Sequence, residues 1–156
     1  MRDPSRDTPN VIAPPPLIYL GMIAAGFVLD SFWRFPLTLF PLQNLAGIAV
    51  VILGLGLSAR SIIEFVRYGT HPDPRRPTTA LIRSGPFHWS RNPIYVAFAI
   101  VHTGVGIWFG TSWVLLTLPL AVAIIRFGVI APEERYLTEK FGDEYRAYQA
   151  TVRRWI

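Results

Sequence analysis

The chain has no cysteine, which excludes disulfides, thiolate metal sites and cysteine nucleophiles. Charge is scarce as well: only 16% of the 156 residues are charged, whereas 51% are hydrophobic and the mean hydropathy is +0.35. A soluble protein of this size needs more polar surface than that. Acid is scarcer than base, 10 residues against 15, for a net charge of +5. Missing too are a GxSxG nucleophile turn, a Walker loop and a dinucleotide fingerprint joining a strand to a helix. His71, His88 and His102 show no metal-ligand spacing, so no metal is expected. Residues 1–16 are polar and proline-rich, and Arg2, Asp3, Arg6 and Asp7 are spread among them. No small-residue cleavage site follows an early apolar stretch, so this segment reads as a flexible lead and not as a cleaved signal. No internal repeat is visible.

What is present is a set of long apolar runs. A bilayer core about 30 Å thick takes roughly 20 helical residues to cross, and four segments come near that length. They run from about Leu17 to Trp33, Leu42 to Val66, Pro93 to Trp108 and Trp113 to Ala131. In lipid each backbone polar group must be paired within its own segment, so the runs are expected to be helices. The short link 109–112 makes the last two an antiparallel hairpin. The expected fold is all-α: a polytopic membrane helical bundle of about four transmembrane helices, forming a single domain over 1–156. Loop 67–92 carries Arg67, Arg75, Arg76, Arg83 and Arg91 against one acid, Asp73. Positive-inside logic puts this loop and both termini in the cytoplasm, and the protein in the cytoplasmic membrane. Beside apolar runs the basic residues read as facing anionic lipid, not nucleic acid. Beyond Pro132, Tyr136, Leu137, Phe141, Tyr145 and Tyr148 recur at helical spacing, and residues 132–156 are read as an amphipathic cytoplasmic helical tail that Gly142 breaks or bends.

Two polar clusters lie where apolar segments end. On a helix from Pro93, Tyr95 and His102 are seven apart and share a face with Gly106, and Arg91 lies one turn earlier if the helical geometry extends that far. Such a stripe is either a functional path into the bilayer or an interfacial arginine, a snorkelling tyrosine and a packed histidine. Arg126 lies seven residues before Glu133, and an arginine inside an apolar run needs a counter-charge or a polar ligand; Glu133 or Glu134 is placed to supply it. Two glutamates in a first helical turn are also favoured by the helix dipole alone. Arg60 and Glu64 have the spacing of an ordinary i,i+4 ion pair. Gly54 and Gly56 suit close helix packing, with which a dimer is compatible.

The residues at these boundaries resemble a known family. Leu81, Gly85, Pro86, Phe87, Arg91, Asn92, Pro93 and Tyr95 fall on a block of the form LxxxGPYxxxRHPxY. Glu133, Glu134, Leu137, Phe141, Gly142, Tyr145 and Tyr148 fall on a second, EExxLxxxFGxxYxxY. Both blocks, in this order and separated by a two-helix hairpin, resemble the integral-membrane methyltransferases of the isoprenylcysteine carboxyl methyltransferase and phospholipid methyltransferase group. The resemblance covers about Leu81 to Tyr148.

The resemblance implies methyl transfer from S-adenosylmethionine to a lipophilic or membrane-embedded acceptor at the cytoplasmic face. By the same token Leu81, Gly85, Phe87, Ser90, Asn92, Pro93 and Tyr95 would form much of the cofactor pocket, and Glu133 or Glu134 would pair with the cofactor ammonium. Arg91, Tyr95, Arg126 and Glu134 are the candidate catalytic residues, and Arg91, His102 and Arg126 would meet the acceptor. Two departures stand out. Asn92 occupies the usual histidine position and cannot carry a proton charge. The arginine that often precedes the glutamate pair more closely is absent, with Val129 nearby and Arg126 as the substitute. The competing readings are a membrane reductase using NAD(P)H, kept open by Arg153 and Arg154, and a membrane protein without catalysis.

Overall fold

The computed structural model describes residues 8–156, so Arg2, Asp3, Arg6 and Asp7 of the expected lead lie outside the described residues. The chain forms helices α1 (Pro15–Phe32), α2 (Gln43–Arg67), α3 (Pro93–Phe109), α4 (Ser112–Ile125), α5 (Ala131–Phe141) and α6 (Asp143–Thr151). Among the described residues there is no strand, only an isolated bridge between Pro36 and Thr111. Three helical stretches are long and apolar enough to cross a membrane: Pro15–Phe32, Gln43–Arg67 and the continuous run Ser112–Phe141. Helix α3 is apolar but shorter, at 17 residues.

Local chemistry sets the helix ends. Pro93 opens α3, where its missing N–H is no loss. Gly110, at φ +64°, closes it in the left-handed conformation that glycine adopts without strain. At that end of the bundle Leu37 donates its N–H to the Gly110 carbonyl (2.7 Å), Ser112 donates to Phe35 (2.9 Å), and the Trp113 indole donates to the Trp33 carbonyl (2.7 Å). The α1–α2 and α3–α4 turns are thereby tied together. Loop 67–92 lies at the opposite end. Helices α2 and α3 pack closely through small residues: a Cβ on Gly54 would come within 2.9 Å of the Ala97 carbonyl, and one on Gly104 within 2.7 Å of the Val51 nitrogen. Lipid offers helices no hydrophobic reason to associate, so this backbone proximity supplies the contact.

The fourth apolar segment does not stop at Ala131. It continues into α5 through a π-helical turn, Arg126–Ile130. Pro132 is the reason. It has no N–H to give the carbonyl of Gly128, four residues back, and its ring crowds that carbonyl. The wider turn relieves the crowding, and the freed Gly128 carbonyl accepts the N–H of Ile12 (3.1 Å). The described part of the expected lead, residues 8–14, therefore lies against the bundle, with Val11 packed on the core of Tyr19, Tyr95, Ile125 and Ile130. The break expected at Gly142 is there. Its φ of +55° and ψ of −126° turn α5 into α6, a conformation open to glycine and strained for other residues.

Candidate functional site

A cleft opens at the end of the bundle that carries loop 67–92. It encloses about 780 Å³, open solvent at its mouth included. Its floor is the first turn of α3, Pro93 to Tyr95; α5 contributes Glu133, Glu134 and Leu137, and α6 contributes Tyr145 and Tyr148. Leu81, Ile82 and Phe87 form one wall, with His71, Pro72 and Pro74 at the rim.

Each wall is held from behind. The 3-10 turn Gly85–His88 is fastened by the Tyr148 hydroxyl, which donates to the Phe87 carbonyl (2.6 Å). Upstream, Ser84 donates to Glu64 of α2, a buried carboxylate that also pairs with Arg60 and Arg67. The i,i+4 pair expected of Arg60 and Glu64 thus also anchors this loop. Gly85 sits tightly there at φ +60°, and a Cβ would come within 3.0 Å of Glu64 Oε1. Tyr19 of α1 donates to the Tyr95 carbonyl (3.1 Å), fixing the first turn of α3.

Two carboxylates face the cleft in different company. The Tyr95 hydroxyl donates to Glu133 Oε2 (2.8 Å). Glu134 is gripped by two guanidinium groups. Arg91 Nη1 lies 3.0 Å from Oε1, Arg154 Nε donates to the same oxygen (3.0 Å), and Arg154 Nη2 donates to Oε2 (2.7 Å). Two cations on one anion leave the cluster with a positive surplus. The Arg91 side chain is only 11% exposed, and its buried Nε has no hydrogen-bond partner among the described residues. Burial, helped by the Glu134 carboxylate, pushes the Tyr145 phenol up to about 12 against the pull of Arg91. Burial also raises the Tyr148 phenol, so both stay protonated donors at neutral pH.

The remaining candidates divide. Leu81, Phe87, Asn92, Pro93 and Tyr95 line the cleft. Gly85 and Ser90 stand behind it: Ser90 is buried and accepts the Asn92 N–H at 3.1 Å. Asn92 turns its amide toward the carbonyl of Arg154 (2.9 Å). Arg91 is not one helical turn before Tyr95, because α3 begins only at Pro93, after Asn92 at φ −131°. His102 shares the buried face of Tyr95 and Gly106 but is remote from the cleft. Its Nε2 is 2.7 Å from the Val114 carbonyl, and its ring stands edge-on to Tyr19.

Arg126 lies outside the cleft, exposed, with its guanidinium over the Phe127 ring (5.3 Å). The seven-residue relation to Glu133 fails because the π-turn lies between them. One extra residue in a turn rotates the downstream helix by about 100°. Glu133 and Glu134 thereby face the cleft while Arg126 faces outward. In the sequence Arg154 reads only as a nucleotide-phosphate contact, and its grip on Glu134 has no local pattern to announce it. Among the described residues no group of three or more His, Cys, Asp or Glu side chains is arranged to hold a metal.

An uncharacterized protein of Haemophilus influenzae is 38% identical over 63 residues, which are 40% of this chain and 100% of that protein. No solved structure matches. The family described as phospholipid methyltransferase matches residues 42–144, which run from the start of α2 into the start of α6 and take in the loop, the hairpin and both glutamates. The chain belongs to the phospholipid methyltransferase family.

Proposed function

We propose that this protein transfers a methyl group from S-adenosylmethionine to a lipophilic acceptor at the cytoplasmic surface of the membrane. The observation that carries this reading is the charge pattern of the cleft: Glu133, a carboxylate with no cation paired to it among the described residues, and a surplus guanidinium, Arg91, in one pocket. S-adenosylmethionine carries the complementary pair, an ammonium and a carboxylate on one carbon. Glu133 takes the ammonium, and the Arg91 guanidinium, which lines the cleft, takes the carboxylate. Phe87, Leu81 and Leu137 offer the adenine an apolar wall. When bound, the cofactor supplies an electrophilic methyl group. The chain contributes alignment and exclusion of water, both matters of fixed geometry. The hydrogen bonds behind Phe87 and Tyr95 are suited to that.

The membrane setting completes the proposal. The region 17–131 forms one membrane domain of four crossings. Helix α3 is about 25 Å long at 1.5 Å per residue and crosses a core of about 30 Å by using its flanking residues at the interface. The arginine-rich loop and both termini face the cytoplasm, so a water-borne cofactor and a lipid-borne acceptor each reach the cleft from their own phase. The absence of cysteine makes the topology testable. Single cysteines at exposed Arg76 and Thr38 should react with an impermeant maleimide from opposite sides, Arg76→Cys from the cytoplasm. Labelling of both from one side would refute the four-crossing arrangement.

The activity reading is tested by calorimetry of detergent-purified protein with S-adenosylmethionine, S-adenosylhomocysteine and NADPH. Micromolar binding of the adenosyl compounds is expected. Binding of NADPH alone would overturn the reading in favour of a reductase.

A further inference from the structure

Residues 152–156 follow α6 without regular structure, yet they are held at every step. The Arg91 N–H donates to the Arg153 carbonyl (2.9 Å). The Asn92 side-chain amide and the Ser90 hydroxyl both donate to the Arg154 carbonyl, at 2.9 and 3.4 Å. The next residue, Trp155, packs against the core that contains Tyr95 and Ile125. With Ile156 it lines an apolar groove between Val96, Ile100 and Val122. The backbone is thus pinned on both sides of Arg154, and the Arg154 side chain turns back to fork both oxygens of Glu134.

A planar guanidinium that meets both oxygens of a carboxylate fixes its rotation as well as its position. Glu134 Oε1 is the atom shared with Arg91. Fixing Glu134 therefore fixes the Arg91 guanidinium that lines the cleft. We infer that segment 152–156 is a structural strap of the binding cleft, that Arg154 is a positioning residue acting on Arg91 through Glu134, and that Asn92 serves to fasten the strap. An amide is suited to that task, because it donates to a main-chain carbonyl at any pH near neutral and needs no proton exchange. This inference rests on the cleft being the cofactor site, and the exposure of the Arg154 side chain (36%) marks the strap as its outer edge.

The test uses the full chain, with S-adenosylhomocysteine as calorimetric probe and hydrogen exchange of the peptide spanning residues 88–92 as positional readout. Arg154→Gln should weaken binding about tenfold or more and speed exchange of that peptide, with protection of α2 and α3 unchanged. Arg154→Lys keeps the charge but loses the fork, so it should bind about as weakly as Arg154→Gln. Asn92→Leu should speed exchange of the same peptide and weaken binding without removing any charge. Arg83→Ala, which breaks the exposed contacts of Arg83 with the carboxylate and the main-chain carbonyl of Glu144, serves as the control and should change neither readout. Wild-type affinity and exchange in Arg154→Gln would overturn the inference. If Arg154→Gln loses helix protection throughout, Asn92→Leu decides: unchanged binding and exchange there would overturn it. If the wild-type protein binds no adenosyl compound, the cofactor reading falls, and the strap is judged by exchange alone.

Discussion

Arg91→Ala is expected to weaken S-adenosylhomocysteine binding by about tenfold to a hundredfold while leaving the protein folded. The magnitude follows from the net worth of hydrogen bonds to charged groups, about 1.5–3 kcal/mol each. The Arg91 side chain is nearly enclosed, so water screens it poorly, and its Nε is a buried donor without a partner among the described residues. A ligand carboxylate that meets this guanidinium gains more than one meeting an exposed arginine. The fold should survive for two reasons. Glu134 keeps its bidentate bond to Arg154, and the bond from residue 91 to the Arg153 carbonyl belongs to the main chain, so alanine retains it. Calorimetry gives the affinity, and a thermal scan by circular dichroism gives the fold. Wild-type affinity in a folded Arg91→Ala protein would remove Arg91 from the site.

The apolar runs gave α1, α2 and α3 to within a few residues, because spans and their proline and glycine ends are local properties. Pro93 and Gly110 bound α3 through their own backbone preferences, and Gly142 marks the α5–α6 turn in the same way. The passage through Pro132 was not legible. The sequence shows a proline that should start a new helix; the structure shows a π-turn whose freed carbonyl is satisfied by Ile12, far away along the chain. That one shift also misled the placing of Arg126, since helical spacing holds only on an unbroken helix. Tyr95, Glu133 and Glu134 could be singled out by their position at the ends of apolar segments, but their partners could not. The pairing of Glu134 with Arg91 and Arg154 depends on a strap fixed by bonds to main-chain carbonyls, and such bonds leave no side-chain pattern to read.

Glu133→Gln and Glu134→Gln should both weaken cofactor binding, by different physics that experiment can separate. Glutamine at 133 keeps an oxygen to accept the Tyr95 hydroxyl, so the local structure persists. It loses the negative charge proposed to meet the ligand ammonium, a charge-assisted contact worth about 1.5–3 kcal/mol. The expected result is a loss of roughly tenfold to a hundredfold in S-adenosylhomocysteine affinity with the thermal midpoint held. Methylthioadenosine has the same nucleoside but no amino-acid tail, so it should bind wild type and Glu133→Gln alike. Equal losses for the two ligands would mean that Glu133 acts on something other than the ammonium. Glutamine at 134 has a different consequence. It leaves Arg91 and Arg154 facing each other across a neutral group, and an unpaired charge in a partly buried site is costly. This variant should lose affinity and also several degrees of thermal midpoint. Its midpoint should recover in the double variant Glu134→Gln with Arg154→Gln, because removing the second cation relieves the repulsion. A midpoint unchanged in Glu134→Gln would show that the two arginines do not depend on this carboxylate as a common counter-ion.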